Sequence, residues 1–266
     1  MSGILYITST PIGNLEDITL RALRILKEVD LIVSEAPRET LKLLTHYGIR
    51  KPLLDYSEHQ WYHRRTPHKA KRIEQIMERL QGGEKVALVS KAGTPLISDP
   101  GYELINAVLA KDIKVVPIPG VTAVTTALSV SGLPLDRFIF EGFLPLKKSK
   151  RARRLQEAAE QSATVVFYES PYRIIRTLRE MREHFGNRRV TIARELTKFY
   201  EEVIRGSLDE VITQLTNRPI KGEFTIIIEG TPPSSVPLKR DSGVAKDSRP
   251  HHLPLTGSRR DNIMRF

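Results

Sequence analysis

VALVSKAGTPLISDPG, Val86 to Gly101, joins a short apolar run to a turn carrying two prolines and two glycines. The run Val86–Val89 is too short for a helix and reads as a buried strand. Gly93, Pro95, Pro100 and Gly101 bar a regular element after it. ILYITSTPIGNL, Ile4 to Leu15, repeats the arrangement, with the run Ile4–Ile7 broken by Pro11 and Gly13. Both turns read as the carboxyl ends of parallel strands, the place where open α/β sheets bind ligands. Glycine at such ends lets backbone N–H groups approach a small molecule closely.

Outward from these turns, strand-like runs recur at Leu31–Val33 and Lys114–Ile118. Helix-like stretches fall between them at Asp17–Lys27, Thr66–Leu80 and Tyr102–Ala110. The alternation predicts right-handed βαβ units and a mostly parallel sheet. Asn14 or Asp17 is positioned to cap the first helix, and Asp99 followed by Pro100 resembles a cap with proline at the first helical position. After GLPLDRFIFEGFLP the run LKKSKRARR, Leu146 to Arg154, carries six basic residues and no acid. It reads as an exposed linker into a helix over Arg151–Glu160. ATVVFYES, a helix near Tyr172–His184, RRVTIAREL and GEFTIIIEG then describe a second α/β unit. The expected organisation is an N-terminal α/β domain over 1–118 with a mostly parallel sheet, and a C-terminal α/β domain over 119–230 with a mixed sheet. The ligand cleft lies between them. Beyond Gly230 the proline-, serine- and arginine-rich residues 231–266 are expected to form a disordered basic tail.

The 266 residues, 40% of them hydrophobic, suffice for real cores. There is no cysteine, which excludes a disulfide scaffold, a thiolate zinc site and a cysteine nucleophile. The start MSGILYITSTPIG lacks the basic and apolar segments of a signal peptide, and no run approaches the ~18 apolar residues of a membrane span. The expectation is a cytoplasmic protein without a membrane partner or a metal. Lysine and arginine exceed the acids by 42 to 31, a formal charge of +11, which favours a polyanion such as nucleic acid.

Taken alone, PIGNL is neither a dinucleotide fingerprint nor a phosphate loop, and a plain strand-to-helix turn explains it as well. SKAGTPLISDPG holds more irregular backbone than a connection needs and points to a ligand cradle. PIPGVTAVTTALSVSGLP, Pro117 to Pro134, adds a third turn leading into a helix of small residues. These admit a flat ligand, and equally allow tight helix packing.

TPIGNLEDITLRALRILKEVDLIVSE, ALVSKAGTPLISDPGYELI, VVPIPGVTAVTTALSVSGLPLDRFIFEGFLP, FYESPYRI, ARELTK and KGEF follow one another in this order over residues 4–230. Together they closely resemble the tetrapyrrole methylase superfamily, in its branch acting on small-subunit ribosomal RNA. The resemblance implies a homodimeric enzyme that uses S-adenosylmethionine to methylate the 2′-hydroxyl of a cytidine in the decoding region of 16S ribosomal RNA, its partner being that RNA or the 30S subunit. It assigns the methyl donor to Pro11, Gly13, Ser90, Ala92, Gly93, Thr94, Ile97, Ser98, Thr122 and Ala123, with Tyr168 and Glu169 from the second domain.

Methyl transfer to a hydroxyl needs in-line positioning and a proton acceptor. The candidates are His59 and Glu58 in DYSEHQW, with Glu195 and Lys198 in ARELTK to orient substrate. An exposed polar role explains each equally well. Lys147, Lys148, Lys150 and Arg151, with Arg38, Arg64 and Arg65, are candidate RNA phosphate contacts. Trp61 and Tyr62 offer faces for an unstacked base.

The chain departs from the family pattern in three places, two within motifs and the third in the proline- and arginine-rich tail, where the family continues with a helical segment. EDTR is replaced by Glu35, Ala36, Pro37 and Arg38, and SDAGTP by Ser90, Lys91, Ala92, Gly93, Thr94 and Pro95. A lysine aimed at a sulfonium about 4 Å away would cost about 4 kcal/mol at an effective dielectric of ~20, whereas one turned to solvent or RNA costs only the missing carboxylate. Two alternatives therefore stand beside an active RNA methylase: an RNA- or ribosome-binding relative without catalysis, and a tetrapyrrole methylase.

Overall fold

A computed structural model describes residues 2–57 and 67–231. Five strands, β1 (Ile4–Thr8), β2 (Leu31–Ser34), β3 (Leu53–Asp55), β4 (Lys85–Val89) and β5 (Lys114–Ile118), form a wholly parallel sheet in the order β3-β2-β4-β1-β5. Successive side chains feed opposite faces, so both faces are apolar and the strands read as continuous hydrophobic runs. Leu5, Val33, Val86 and Leu88 pack with Ile76 and Leu80 of α3 (Pro67–Gln81) and Leu104 and Val108 of α4 (Tyr102–Leu109). Ile32, Ala87 and Val89 pack with Ala22, Ile25 and Leu26 of α1 (Leu20–Glu28) and Leu44 of α2 (Pro37–His46).

A second sheet, β6-β7-β10-β8-β9, is mixed. β6 (Phe138–Phe143) runs parallel to β7 (Thr164–Glu169), while β10 (Phe224–Ile228), β8 (Arg189–Arg194) and β9 (Glu202–Ser207) pair antiparallel. One face carries α6 (Lys148–Ala159), α7 (Ile174–Phe185) and α8 (Leu208–Thr216) over Val165, Phe167, Ile192 and Ile226. The other buries Val166, Ala193 and Ile227 against Ile12 and against Val124, Ala127 and Leu128 of α5 (Ala123–Ser129). This last cluster joins the two α/β domains, and it places the first turn, Ile12 included, on the second sheet.

The parallel and mixed sheets agree with the sequence reading, with local differences. Asn14 caps a single 3-10 turn, Leu15–Asp17, and Thr19 caps α1 by accepting from the Ala22 amide at 3.0 Å, so the first helix begins later than expected. α6 begins at Lys148 rather than Arg151. α4 starts after Gly101, whose φ of 130° suits glycine, and receives no side-chain cap. Asp99 is thus not its cap. The expected disordered tail beyond Thr231 and the candidates Glu58, His59, Trp61, Tyr62, Arg64 and Arg65 lie outside the described residues.

Candidate active site

In the parallel sheet the chain leaves β1 toward β2 and leaves β4 toward β5, on the opposite side. The crevice of this switch point therefore opens between β1 and β4. There the two turns are stitched together by a two-residue bridge. The Thr10 amide donates to the Gly93 carbonyl at 2.9 Å, and the Gly93 amide to the Thr10 carbonyl at 3.0 Å. Ser9 and Thr94 share a hydroxyl hydrogen bond of 2.8 Å, and the Ser9 amide reaches the Ile118 carbonyl at the end of β5 at 3.2 Å. The third turn fits against the first only through glycine: a methyl group on Gly120 would lie 2.6 Å from Ser9 Cβ.

These turns and the second sheet enclose a cavity of about 460 Å³. Ala92, Gly93, Thr94, Ile97, Ser98, Thr122, Ala123, Tyr168 and Glu169 line it, as do Glu195 and Lys198. Pro11, Gly13 and Ser90 instead line an adjoining cavity of about 410 Å³, alongside Thr40 and Lys42. The residues expected to hold one ligand are therefore divided between two chambers. Ile12, Lys91, Ala92, Lys198 and Glu223 border both.

The partition between the chambers is an ion array. Lys91 Nζ meets Glu223 Oε1 at 3.4 Å, while Lys198 Nζ meets Glu223 Oε2 at 2.9 Å and Glu195 Oε1 at 2.9 Å. The Glu223 amide also donates to Glu195 Oε1 at 2.9 Å. Burial works against both carboxylates, but the ammonium groups outweigh it and hold Glu195 and Glu223 below the ordinary carboxylate range. Burial likewise opposes the Lys198 charge, and Glu195 and Glu223 overcome it to hold its pKa above the usual value. Two cations and two anions cancel here. Lys91, the departure noted in the sequence, is answered by Glu223, and its side chain is 60% exposed.

Asp99 contrasts with these paired groups. It lines the larger cavity, half-buried, with its pKa pushed up to about 7 by burial and by the nearby Glu35 charge, against smaller opposing effects of Ser90 and Lys91. Tyr168 on β7 is raised to about 12 by burial and by Asp99, with the Val124 amide acting in the opposite sense. Its ring packs between Phe140 and Phe143, at centroid distances of 4.9 and 5.5 Å.

Two of the assigned residues are held in internal networks. Both carboxylate oxygens of Glu169 accept internal hydrogen bonds, from the Ser170 amide at 2.8 Å, Arg173 at 3.1 Å and the Thr177 hydroxyl at 2.7 Å, so Glu169 braces the cavity wall. Arg151 is 2% exposed. It forks onto Glu180 at 2.5 and 2.8 Å and donates to the Pro145 and Leu146 carbonyls, so it staples the start of α6 and is unavailable to phosphate. A six-in-nine basic run hides this, because helical periodicity turns one of its members inward. Lys147, Lys148, Lys150 and Arg38 are exposed.

Asp99 and Glu223 were not read as site residues. The Asp-Pro pair resembled a helix cap, and KGEF carries no chemical signature of its own. Among the described residues, no group of three or more histidine, aspartate or glutamate side chains is placed to hold a metal, and no helix is long and apolar enough to cross a membrane.

A model of tetrapyrrole (corrin/porphyrin) methylases matches residues 5–212, and the chain belongs to that family. Its relatives include the ribosomal RNA small subunit methyltransferase I of Halalkalibacterium halodurans, 48% identical over 228 residues, or 86% of this chain and 76% of that one. The protein of the same name from Thermotoga maritima is 46% identical over 228 residues, covering 86% and 99%. Among solved structures, the methyltransferase CobJ superposes with a TM-score of 0.64 at 20% identity, covering 86% of this chain and 95% of its own. Uroporphyrin-III C-methyl transferase from Thermus thermophilus, complexed with S-adenyl homocysteine, gives 0.58 at 17% identity, covering 86% and 98%.

Proposed function

We propose that this chain is an S-adenosylmethionine-dependent ribosomal RNA methyltransferase that modifies a cytidine 2′-hydroxyl of small-subunit RNA, with the donor in the larger cavity. The observation that carries the reading is that cavity, at the switch point of a family fold and bounded by three turns of the methylase pattern. Its volume lies in the range of sites that bury a cofactor-sized ligand. Its lining suits an adenosyl group, with Ile97, Phe143 and Leu196 as apolar walls and Thr94, Ser98 and Thr122 as hydroxyl donors and acceptors. When bound, S-adenosylmethionine supplies a methyl group on a positively charged sulfur.

The chain's own residues do the rest. The Thr10–Gly93 bridge and the Ser9–Thr94 contact hold the cradle rigid, so binding orders little further backbone. Tyr168, wedged between Phe140 and Phe143, gives an aromatic wall, and the neutral ion array closes the opposite side without leaving a net positive charge near the donor. Pro11, Gly13 and Ser90, in the adjoining chamber, line the approach to the donor. Exposed Lys147, Lys148 and Lys150 with Arg38 contact RNA phosphates. We place the domain boundary between Ile118 and Pro119, the working form as a homodimer acting on RNA or the 30S subunit, and the protein in the cytoplasm.

Methyl-labelled donor incubated with unmodified 30S subunits and with naked 16S RNA, followed by nucleoside mass spectrometry, tests this. A 2′-O-methylcytidine is expected. Transfer to a base, to a porphyrinoid, or to nothing while the donor binds would refute the assignment.

A further inference from the structure

The loop between β8 and β9, Glu195 to Glu201, belongs to the site with its first half and to the surface with its second. Leu196 lines the larger cavity and Lys198 borders both chambers. Phe199 and Tyr200, next along the chain, are 92% and 70% exposed. A phenylalanine ring left in water forgoes one of the larger gains that burial offers a side chain. The two rings meet edge to face, their centroids 5.0 Å apart and their planes at 89°.

The loop is held firmly beneath them. The Lys198 amide donates to the Glu195 carbonyl and the Glu201 amide to the Lys198 carbonyl, both at 3.0 Å, while the Glu201 carboxylate accepts the Thr197 amide at 2.5 Å. Glu195 and Thr197 take φ of 50° and 65°, and Lys198 Nζ is tied to Glu195 and Glu223. The loop before β10 is fastened to the same corner, because the Glu195 amide donates to the Glu223 carbonyl at 3.0 Å and Arg194 Nε to the Lys221 carbonyl at 2.7 Å. Lys221 itself is exposed.

We infer that Phe199 and Tyr200 are a stacking platform for an unpaired base of the RNA strand that carries the target cytidine, a role that rests on the chain acting on ribosomal RNA. A ribose hydroxyl reaches a donor in a cleft only if its nucleotide leaves the helical stack, and the bases this unstacks are the kind that aromatic side chains receive. The rings sit on the loop that supplies Leu196 and Lys198 to the cavity, so a base resting on them lies beside the reacting strand. Because the loop is already ordered, little freedom is lost when a base arrives. A protein partner fits the surface less well: two side chains fall far short of the ~800 Å² that each partner gives to a stable interface. The acids beside the rings do not repel RNA strongly, since Glu202 is paired with Arg194 and Arg218 and Glu201 holds the Thr197 amide. Lys221 and the formal charge of +11 favour the polyanion.

The test compares wild type, Phe199→Ala, Tyr200→Ala, the double alanine variant and Phe199→Trp. Each is saturated with S-adenosylhomocysteine, which stops turnover, and titrated with unmodified 30S subunits and with naked 16S RNA. Loss of the stacking ring should weaken RNA binding roughly 5- to 150-fold, the range for one stacked base, and Phe199→Trp should bind at least as tightly as wild type. Its fluorescence should be quenched by RNA beyond the quenching of Trp61, the one tryptophan of the natural chain. The alanine variants should keep the wild-type melting temperature, S-adenosylmethionine affinity and salt dependence of RNA binding, because stacking neutralises no phosphate. Equal RNA affinity in wild type and the double alanine variant would overturn the inference. Conversion of a wild-type dimer to a monomer by the double variant would also overturn it, by placing a second copy of this chain on the rings. A wild type that binds S-adenosylhomocysteine but neither RNA would instead defeat the ribosomal RNA reading on which the platform stands.

Discussion

Lys198 lies directly over Gly13. A methyl group at position 13 would stand 2.4 Å from Lys198 Cγ and 3.0 Å from its Cε. The glycine of the first turn is therefore required by a side chain from the other domain. Gly13→Ala must push Lys198 off Glu195 and Glu223, with an overpacking cost of roughly 1–3 kcal/mol. The expected outcome is a lower melting temperature together with about a tenfold loss of methylation rate. Lys198→Ala in the Gly13→Ala background should relieve the stability loss without restoring the rate, since it removes the clash and leaves the array broken.

Lys91 acts on Asp99 by lowering its pKa. Lys91→Ala should therefore move the Asp99 titration, followed by carbon-13 NMR of its carboxyl, upward, and Lys91→Asp further, because it places a carboxylate beside Glu35 and Asp99. At a partly exposed site the effect amounts to roughly 0.2–1 kcal/mol, a shift of about 0.15 to 0.7 of a pH unit. An unmoved midpoint in both variants would show that Lys91 is electrostatically remote from the titrating group.

Asp99 also predicts a pH dependence of stability. Its folded pKa, about 7, lies above the ordinary aspartate value of about 3.9, so its contribution is fully favourable below the unfolded pKa and is lost as pH rises through 7. Asp99→Asn should accordingly melt higher than wild type at pH 8, and its advantage should shrink toward pH 5. After discounting for solvent screening the difference is about 1–2 kcal/mol, measurable by denaturant titration at the two pH values.

Arg151 and its lysine neighbours should separate cleanly. Arg151→Ala strands Glu180 and the Pro145 and Leu146 carbonyls, costing roughly 3 kcal/mol. That loss appears in the melting temperature. Lys148→Ala and Lys150→Ala should leave melting unchanged, weaken RNA binding, and reduce its salt dependence by about one unit of log–log slope each. Equal melting losses in all three would contradict the buried role of Arg151.

The parallel sheet was legible because its strands are buried on both faces and punctuated by glycine and proline; β5 falls at Lys114–Ile118 as read. β9 escaped notice because an edge strand, EVIRGS, needs little apolar alternation. β6, inside GLPLDRFIFEGFLP, was given no element of its own, its pattern being disturbed by a register shift between Phe140 and Gly142. At the site, small residues in turns pointed to the cavity, since close backbone approach leaves a trace in composition. The pairing of Lys91 with Glu223, and the turning of Asp99 away from a cap, arise where distant segments meet. No local pattern encodes them.

Four of the five non-glycine residues with left-handed backbone among those described, Leu96, Ser98, Glu195 and Thr197, lie on two loops that both contribute to the cavity lining. Left-handed backbone is costly for side chains other than glycine and asparagine, and most costly for β-branched ones. These positions are therefore doubly constrained in divergence: a replacement must suit the ligand and also tolerate the strain. Glycine would relieve the strain at the expense of a looser cradle. The two loops should accordingly resist sequence drift even at residues such as Leu96 and Thr197, to which no direct chemical role falls.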